Sequence, residues 1–457
     1  MAPTGTLPSQ HNELSHDSEP ADARGPAHGD IGDILAFGLG MSTVMWVEGY
    51  LLRMPGDRLP GSLILITALV SLCLMGAWAG YATRRGAWAG LWAGMIAGGL
   101  NLLLLGALGH DLTNDHRILD YTTVWAPISV LTCGFIGWMG ALAGSRFNPQ
   151  GMGRIHSRGA VPIATAAATL ALVMAGGMVT GMNAGLSVPD WPDSFKFGMF
   201  LFPLARMTGG IYFEHTHRLL GTLVGLATLI QAIYLVLRDR RGWLKTLAIA
   251  ALLMVIVQGV MGGLRVTGHF TDHHSRPYMD PSTTLAIVHG VFGQLFLGFL
   301  VAIAVFCSRA WQSNLERVAR PGYKTDAWLT TSLVVALALQ LVLGSVLRHV
   351  GQVLFEHISM ATIILFLAVF AGVRAWGMNQ DDPILRRLGA ALLLVVMLQV
   401  LLGVAAVAAL GGGQPVKTPN MVQAVITTAH QTVGAILLCT ALALALWTRR
   451  LRKAPQA

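Results

Sequence analysis

Charge is what this chain lacks most. Only 12% of its 457 residues are Asp, Glu, Lys or Arg, about half of the roughly 25% found in soluble globular proteins. That shortage excludes an ordinary water-facing surface, and a mean hydropathy of +0.60 agrees. Cysteine is scarce too. Cys73, Cys133, Cys307 and Cys439 each fall inside an apolar run, which excludes a disulfide framework and a CxxC site and leaves four small buried hydrophobes. Short alternating apolar segments are missing, so a membrane β-barrel is excluded. Residues 1–30 contain no apolar core of a secretory signal and no Arg-rich amphipathic pattern, and they read as a polar cytoplasmic tail of a bacterial protein. A net charge of +9 raises nucleic acid as a partner. The basic residues sit in short loops between apolar runs, however, so membrane topology accounts for them and no nucleic acid is expected.

What the chain has in abundance is long apolar runs, many of 20 residues or more. Such a run crosses a bilayer core of about 30 Å as a helix, the default where the backbone must satisfy its own hydrogen bonds. Twelve spans are predicted, at about 33–54, 61–82, 87–108, 123–144, 160–182, 214–237, 246–265, 283–306, 328–347, 356–373, 388–410 and 423–447. The fold class expected is an all-α polytopic membrane protein. Alternate loops hold 20 basic residues against ten on the opposite side, which puts both termini in the cytoplasm of a bacterial inner-membrane protein.

The second part of the chain repeats itself. Gln258 and Gly262 correspond to Gln399 and Gly403; His289 and His430 each follow their glutamine by 31 residues, and Gly293 and Gly434 follow those histidines by four. His217 and His357 lie 72 and 73 residues upstream of their partners. Two four-helix bundles, 160–306 and 328–447, therefore superpose with an offset of about 140 residues. A further four-helix module, 31–145, precedes them, with no assignable role; its distinctive polar residues are Glu48, Asp111, Asp115 and His116.

Ionisable residues inside spans are costly and usually functional. His217, His289, His357 and His430 all lie near the starts of spans that run in the same direction. Two histidines facing each other across a four-helix bundle can hold a haem iron through both axial positions, giving two sites, His217 with His289 and His357 with His430. Polar contacts between helices, or a proton relay in a transporter built from repeats, are the alternatives. Glu214 and His217 are three apart and share a helix face. A carboxylate there can act on a bound substrate, or simply mark a hydrated helix end. The second repeat has Glu356 directly before His357 and no matching arginine, an asymmetry that suggests different roles. Arg218, Arg265, Arg348 and Lys417 are candidate contacts to anionic haem propionates, or ordinary interfacial anchors. His269, His273 and His274 lie in one loop with spacing too loose to indicate a metal site.

The run Gly185-Leu-Ser-Val-Pro-Asp-Trp-Pro192 resembles the first outer loop of haem A synthases. Glu214-His-Thr-His-Arg-Leu-Leu-Gly221, the run Gly262–Thr267 and the spans led by His289 and His430 resemble that family in the same order, over about 160–450. The resemblance implies an oxidoreductase that converts a methyl group of haem O to a formyl group, giving haem A for terminal cytochrome oxidase. It implies that His217 and His289 hold substrate haem O, that His357 and His430 hold a permanent haem b, and that Glu214 is catalytic. Haem O synthase and oxidase assembly factors become expected partners. Two departures stand out. Val188 and Ser194 occupy positions where many bacterial members carry a cysteine pair, and residues 31–145 are additional to the family core. A bis-histidine b-type electron-transfer protein without haem-modifying chemistry is the rival reading.

Overall fold

The computed structural model describes residues 31–56, 59–113, 118–268, 282–313, 315–411 and 419–455, with side chains not described at 105–113 and 118–121. The tail 1–30, Asp115, His116, the loop histidines His269, His273 and His274, and Lys417 lie outside the described residues; Asp111 is described in its backbone alone.

The described chain is almost wholly helical. In order come α1 (Gly32–Leu52), α2 (Gly61–Ala82), α3 (Ala87–Thr113), α4 (Ile118–Ser145), α5 (Ser157–Gly181), α6 (Gly209–Arg238), α7 (Gly242–Val266) and α8 (Thr283–Cys307). A one-turn α9 (Arg309–Gln312) follows, then α10 (Tyr323–Val350), α11 (Leu354–Met378), α12 (Pro383–Ala409) and α13 (Met421–Leu451). Twelve of these are long and apolar enough to cross a membrane, so the all-α polytopic fold expected from sequence is the one observed.

Several helices extend past their predicted spans. α6 begins at Gly209 rather than at 214, and α10 runs from Tyr323 rather than from 328. The added turns hold Tyr, Lys, Asp and similar residues that lower the hydropathy of a window but fit a helix. Local caps set other boundaries. Asp382 accepts from the amides of Ile384 and Leu385 ahead of Pro383 at the start of α12, and Asn420 forms a reciprocal capping box with Gln423 at the start of α13.

Helices α5 to α8 pack in a closed ring, α5 on α6 and α8, and α7 on α6 and α8. Helices α10 to α13 form the same ring, α10 on α11 and α13, and α12 on α11 and α13. The two rings meet where α8 and α5 pack on α13 and α8 on α10. Within α1–α4 the packing is tight enough that a Cβ on Gly80 would fall 2.1 Å from the Ala141 carbonyl oxygen, the close approach that small residues allow between membrane helices. From this unit α1 packs on α5 and α6, and α3 reaches the segment between α5 and α6, which contains two 3-10 turns, Met199–Leu201 and Leu204–Arg206. Apolar side chains on α2 and α4 such as Leu65, Leu74, Leu131 and Phe135 point outward, each more than half exposed, as expected of faces in contact with lipid. None of the four cysteines is in a disulfide.

Candidate functional site

His217, His289 and His430 sit more than a turn inside their helices and His357 in the first turn of α11, and each faces another across its ring of helices. The imidazole centres of His217 and His289 are 6.5 Å apart, and those of His357 and His430 are 6.4 Å apart. A metal held between two imidazoles, with bonds of about 2 Å and about 1 Å more from nitrogen to ring centre, requires a separation of roughly 6 Å. In all four rings Nδ1 is buried with no partner among the described residues. Four orphaned imidazole nitrogens in two facing pairs fit a metalloporphyrin at each site.

A glycine on the preceding helix makes room for each ring. A Cβ on Gly176, Gly344 or Gly403 would lie 2.9, 3.1 or 3.0 Å from Cε1 of His217, His357 or His430; for Gly262 and His289 the distance is 3.5 Å. One turn before three of these glycines stands a glutamine. Gln258 and Gln340 donate to the carbonyls of His289 and His357, at 3.1 and 2.9 Å. The Gln399 amide lies 3.5 Å from Nε2 of His430. Sequence inspection identified Gln258 with Gly262 and Gln399 with Gly403, but not Gln340 with Gly344, which completes the series. Nor did it find Gly176, whose neighbour one turn back is Leu172.

The first pair has a neighbour that the second lacks. Glu214, 4% exposed, accepts the Val188 amide at 2.9 Å through Oε2 and Arg218 Nη2 at 2.8 Å through Oε1. It is therefore not the hydrated helix end that its charge allowed. Arg218 also donates to the carbonyls of Val188, Asp190 and Asp193, at 2.8, 2.7 and 3.1 Å. Four of its five donors are thus directed at Glu214 and the loop, which leaves little for a propionate. The loop between α5 and α6 is folded down further by Trp191, whose ring lies 2.5 Å from where a Gly263 Cβ would be. Gly185 likewise gives way to the Arg265 guanidinium, 2.6 Å from its would-be Cβ. His215, fully buried, was not singled out on sequence. Its Nδ1 meets Ser194 Oγ at 3.0 Å, and its ring packs on Phe202 at 4.9 Å. At the second pair, the positions matching Glu214 and Arg218 by the 140-residue offset are Leu354 and Ile358, and Glu356 itself is exposed.

Arg265 lies within electrostatic reach of Glu214, His217, His289 and His349; its Nε is buried without a partner among the described residues. Arg348 leaves its own ring of helices to donate to the Thr180 carbonyl at the end of α5. These two cations sit at the same end of the molecule as the histidines.

A search of curated proteins found no match. The family comparison bears on the middle of the chain, which carries the first histidine pair, Glu214, Arg218, Arg265 and Arg348: residues 194–354 match the family model of the cytochrome oxidase assembly proteins, and over that stretch the family recognised from the sequence motifs is the one found.

Proposed function

We propose that this multi-pass membrane protein, whose matched segment supports a role in cytochrome oxidase assembly, is a haem A synthase that oxidises a methyl group of haem O to a formyl group. One observation carries the reading: two histidine pairs of nearly equal geometry, of which, among the described residues, only the first is flanked by a buried carboxylate fixed to a folded loop. Equal pairs suit two haems, and unequal surroundings suit one haem that reacts and one that does not.

In this reading His217 and His289 bind substrate haem O, and His357 and His430 bind a resident haem b. Bound haem b supplies one-electron redox chemistry. Glu214 is fixed in place by the Val188 amide and Arg218, one helical turn from His217. It can accept a proton or stabilise positive charge on the substrate. Trp191, packed against Gly263, holds the loop beside the site. Arg265 and Arg348 offer cationic partners for propionates. The protein lies in a bacterial cytoplasmic membrane, with the histidine ends of both bundles facing outward. The rival reading, electron transfer through two identical b-type haems, draws on the near equality of the two pairs.

The deciding experiment is extraction of haem from protein coexpressed with a haem O synthase, with identification by mass. Haem b together with haem O, its hydroxylated form or haem A is the expected result. His357→Ala should then lose haem b, and Glu214→Ala should retain haem O without converting it. Haem b alone in the parent protein, with both pairs filled, would establish the electron-transfer reading instead.

A further inference from the structure

We propose that helices α1–α4 are a built-in clamp on the loop between α5 and α6, and that Tyr50 and Arg53 are the positioning residues through which they act. The effect on Glu214 chemistry rests on the function proposed above; the effect on the loop does not.

Among the described residues α1 and α3 make this unit's main contacts with the rest of the chain: α1 packs along α5 from Gly32, beside Ser157 and Tyr234, towards the loop end, and α3 meets the loop's two 3-10 turns. At the end of α1, Tyr50 is 2% exposed and lies parallel to Tyr212, with ring centres 5.7 Å apart and planes inclined by 4°. The Tyr212 hydroxyl donates to the Tyr50 carbonyl. Tyr212 is in the first turn of α6, two residues before Glu214. Arg53, immediately after α1, donates through Nη2 to the Leu204 carbonyl at 2.9 Å, at the second 3-10 turn. Between these two contacts, Trp46 and Leu103 share one apolar core with Phe202, Met207 and Phe213.

That core leads directly to the site. Phe202, 1% exposed, packs on His215, and His215 holds Ser194. Ser194 pairs with Phe197 through two backbone hydrogen bonds, while the Glu214–Arg218 pair holds the other half of the loop at Val188, Asp190 and Asp193. The loop is therefore held from two sides. One side is its own bundle, and the other is the added unit. A loop whose backbone polar groups have partners on two separate bodies opens only when both release it. The outward faces of α2 and α4 carry exposed apolar side chains, as lipid-facing surfaces do, and the unit's protein-facing side, α1 with α3, reaches the loop at its α1 C-terminal end.

The Tyr50 hydroxyl is buried with no partner among the described residues, so its ring, not its hydroxyl, does the holding. That separates two substitutions. Tyr50→Phe keeps the stacked ring and should behave as the parent protein. Tyr50→Ala removes it. Arg53→Gln removes one donor at the edge of the unit and leaves the core intact, so it decides the matter if Tyr50→Ala fails to fold.

The test is amide hydrogen exchange, read by mass, on the full-length protein in detergent, together with turnover of haem O and the absorbance of the second-site haem. Arg53→Gln and Tyr50→Ala should speed exchange across residues 194–208 by about fivefold to tenfold, the effect of losing one net hydrogen bond or its packing equivalent. They should lower kcat more than they raise KM, with the second-site spectrum unchanged. Unchanged exchange at 194–208 in Arg53→Gln, or equal effects of Tyr50→Phe and Tyr50→Ala, would overturn the clamp. Faster exchange in a protein that never modifies haem would keep the clamp and remove the proposed function.

Discussion

Arg218→Met tests whether the loop and the carboxylate are one unit. The substitution keeps most of the side-chain volume and removes four hydrogen bonds of 2.7 to 3.1 Å, to Glu214 and to three loop carbonyls. Both ends of the ion pair are nearly inaccessible, 8% and 5% exposed, so solvent cannot replace the lost partner. Removing one member of a buried pair costs about 3–5 kcal/mol, because a charge is left desolvated and alone, whereas replacing both members by apolar groups is often close to neutral. The single variant should therefore unfold in detergent at a midpoint lower by a few degrees to roughly 10 °C. The double variant Glu214→Leu/Arg218→Met should recover part of that loss, although the loop carbonyls stay without their donor. Arg218→Lys should fall between, since an ammonium keeps the charge but not the planar fork that reaches Val188, Asp190 and Glu214 together. A double variant no more stable than Arg218→Met would show that the stranded carboxylate is not the source of the cost, and the reasoning would fail.

Two further outcomes follow from the packing. Gly403→Ala should displace the His430 ring and weaken ligand binding at the second site, because its new Cβ would lie 3.0 Å from Cε1; Gly262→Ala, at 3.5 Å from His289, should be tolerated, and the two absorption spectra side by side check this. In the short turn between α6 and α7, burial raises the Asp239 carboxyl pKa, but hydrogen bonds from Arg241, which also donates to the Phe306 carbonyl at 2.9 Å, outweigh burial and hold it below its ordinary value. That pair therefore contributes stability above the unfolded-state value of about 4 and loses it as pH falls through the lower folded value, so Asp239→Asn should flatten the acid limb of a stability-versus-pH curve in detergent.

Much of this arrangement was legible from spacing. Hydropathy alone placed twelve spans, because in lipid both helix length and backbone satisfaction leave little choice. The histidine pairs were legible because duplication wrote each twice, with the same glutamine and glycine beside His289 and His430. What spacing could not provide was any contact between elements far apart in sequence. Nothing in the run Gly185–Pro192 indicates that its carbonyls converge on Arg218, or that Arg265 lies over Gly185. His215 was hidden beside His217, since adjacent residues on a helix face different neighbours and only the fold decides which of them meets Ser194 and Phe202. The contact of α1 with the start of α6 was illegible for the same reason: Tyr50 and Tyr212 are separated by 162 positions, and neither belongs to a motif.

The missing glutamine at Leu172 carries the asymmetry of the site one step further. Gln258 and Gln340 tether the backbone carbonyls of their histidines, and Gln399 lies against the His430 ring. At the fourth position the Leu172 carbonyl, rather than an amide, is within hydrogen-bonding reach of His217. Groups behind a metal ligand fix its orientation and raise its affinity, with losses of about tenfold to a hundredfold when they are removed. Both ligands of the second pair have a glutamine side chain as such a group, which in the proposed reading suits a resident cofactor. In the first pair only His289 has a glutamine side chain beside it, while His217 has a backbone carbonyl alone, which in the proposed reading suits a substrate that must leave after reaction. Leu172→Gln should therefore increase the haem retained at the first pair on purification and slow turnover through product release, with the second pair unaffected. Single-turnover and steady-state rates measured on the same preparation separate the two steps: the single-turnover rate should hold while the steady-state rate falls. Unchanged retention and unchanged steady-state turnover would mean that the glutamines brace the helices and have no bearing on how long the ligand stays.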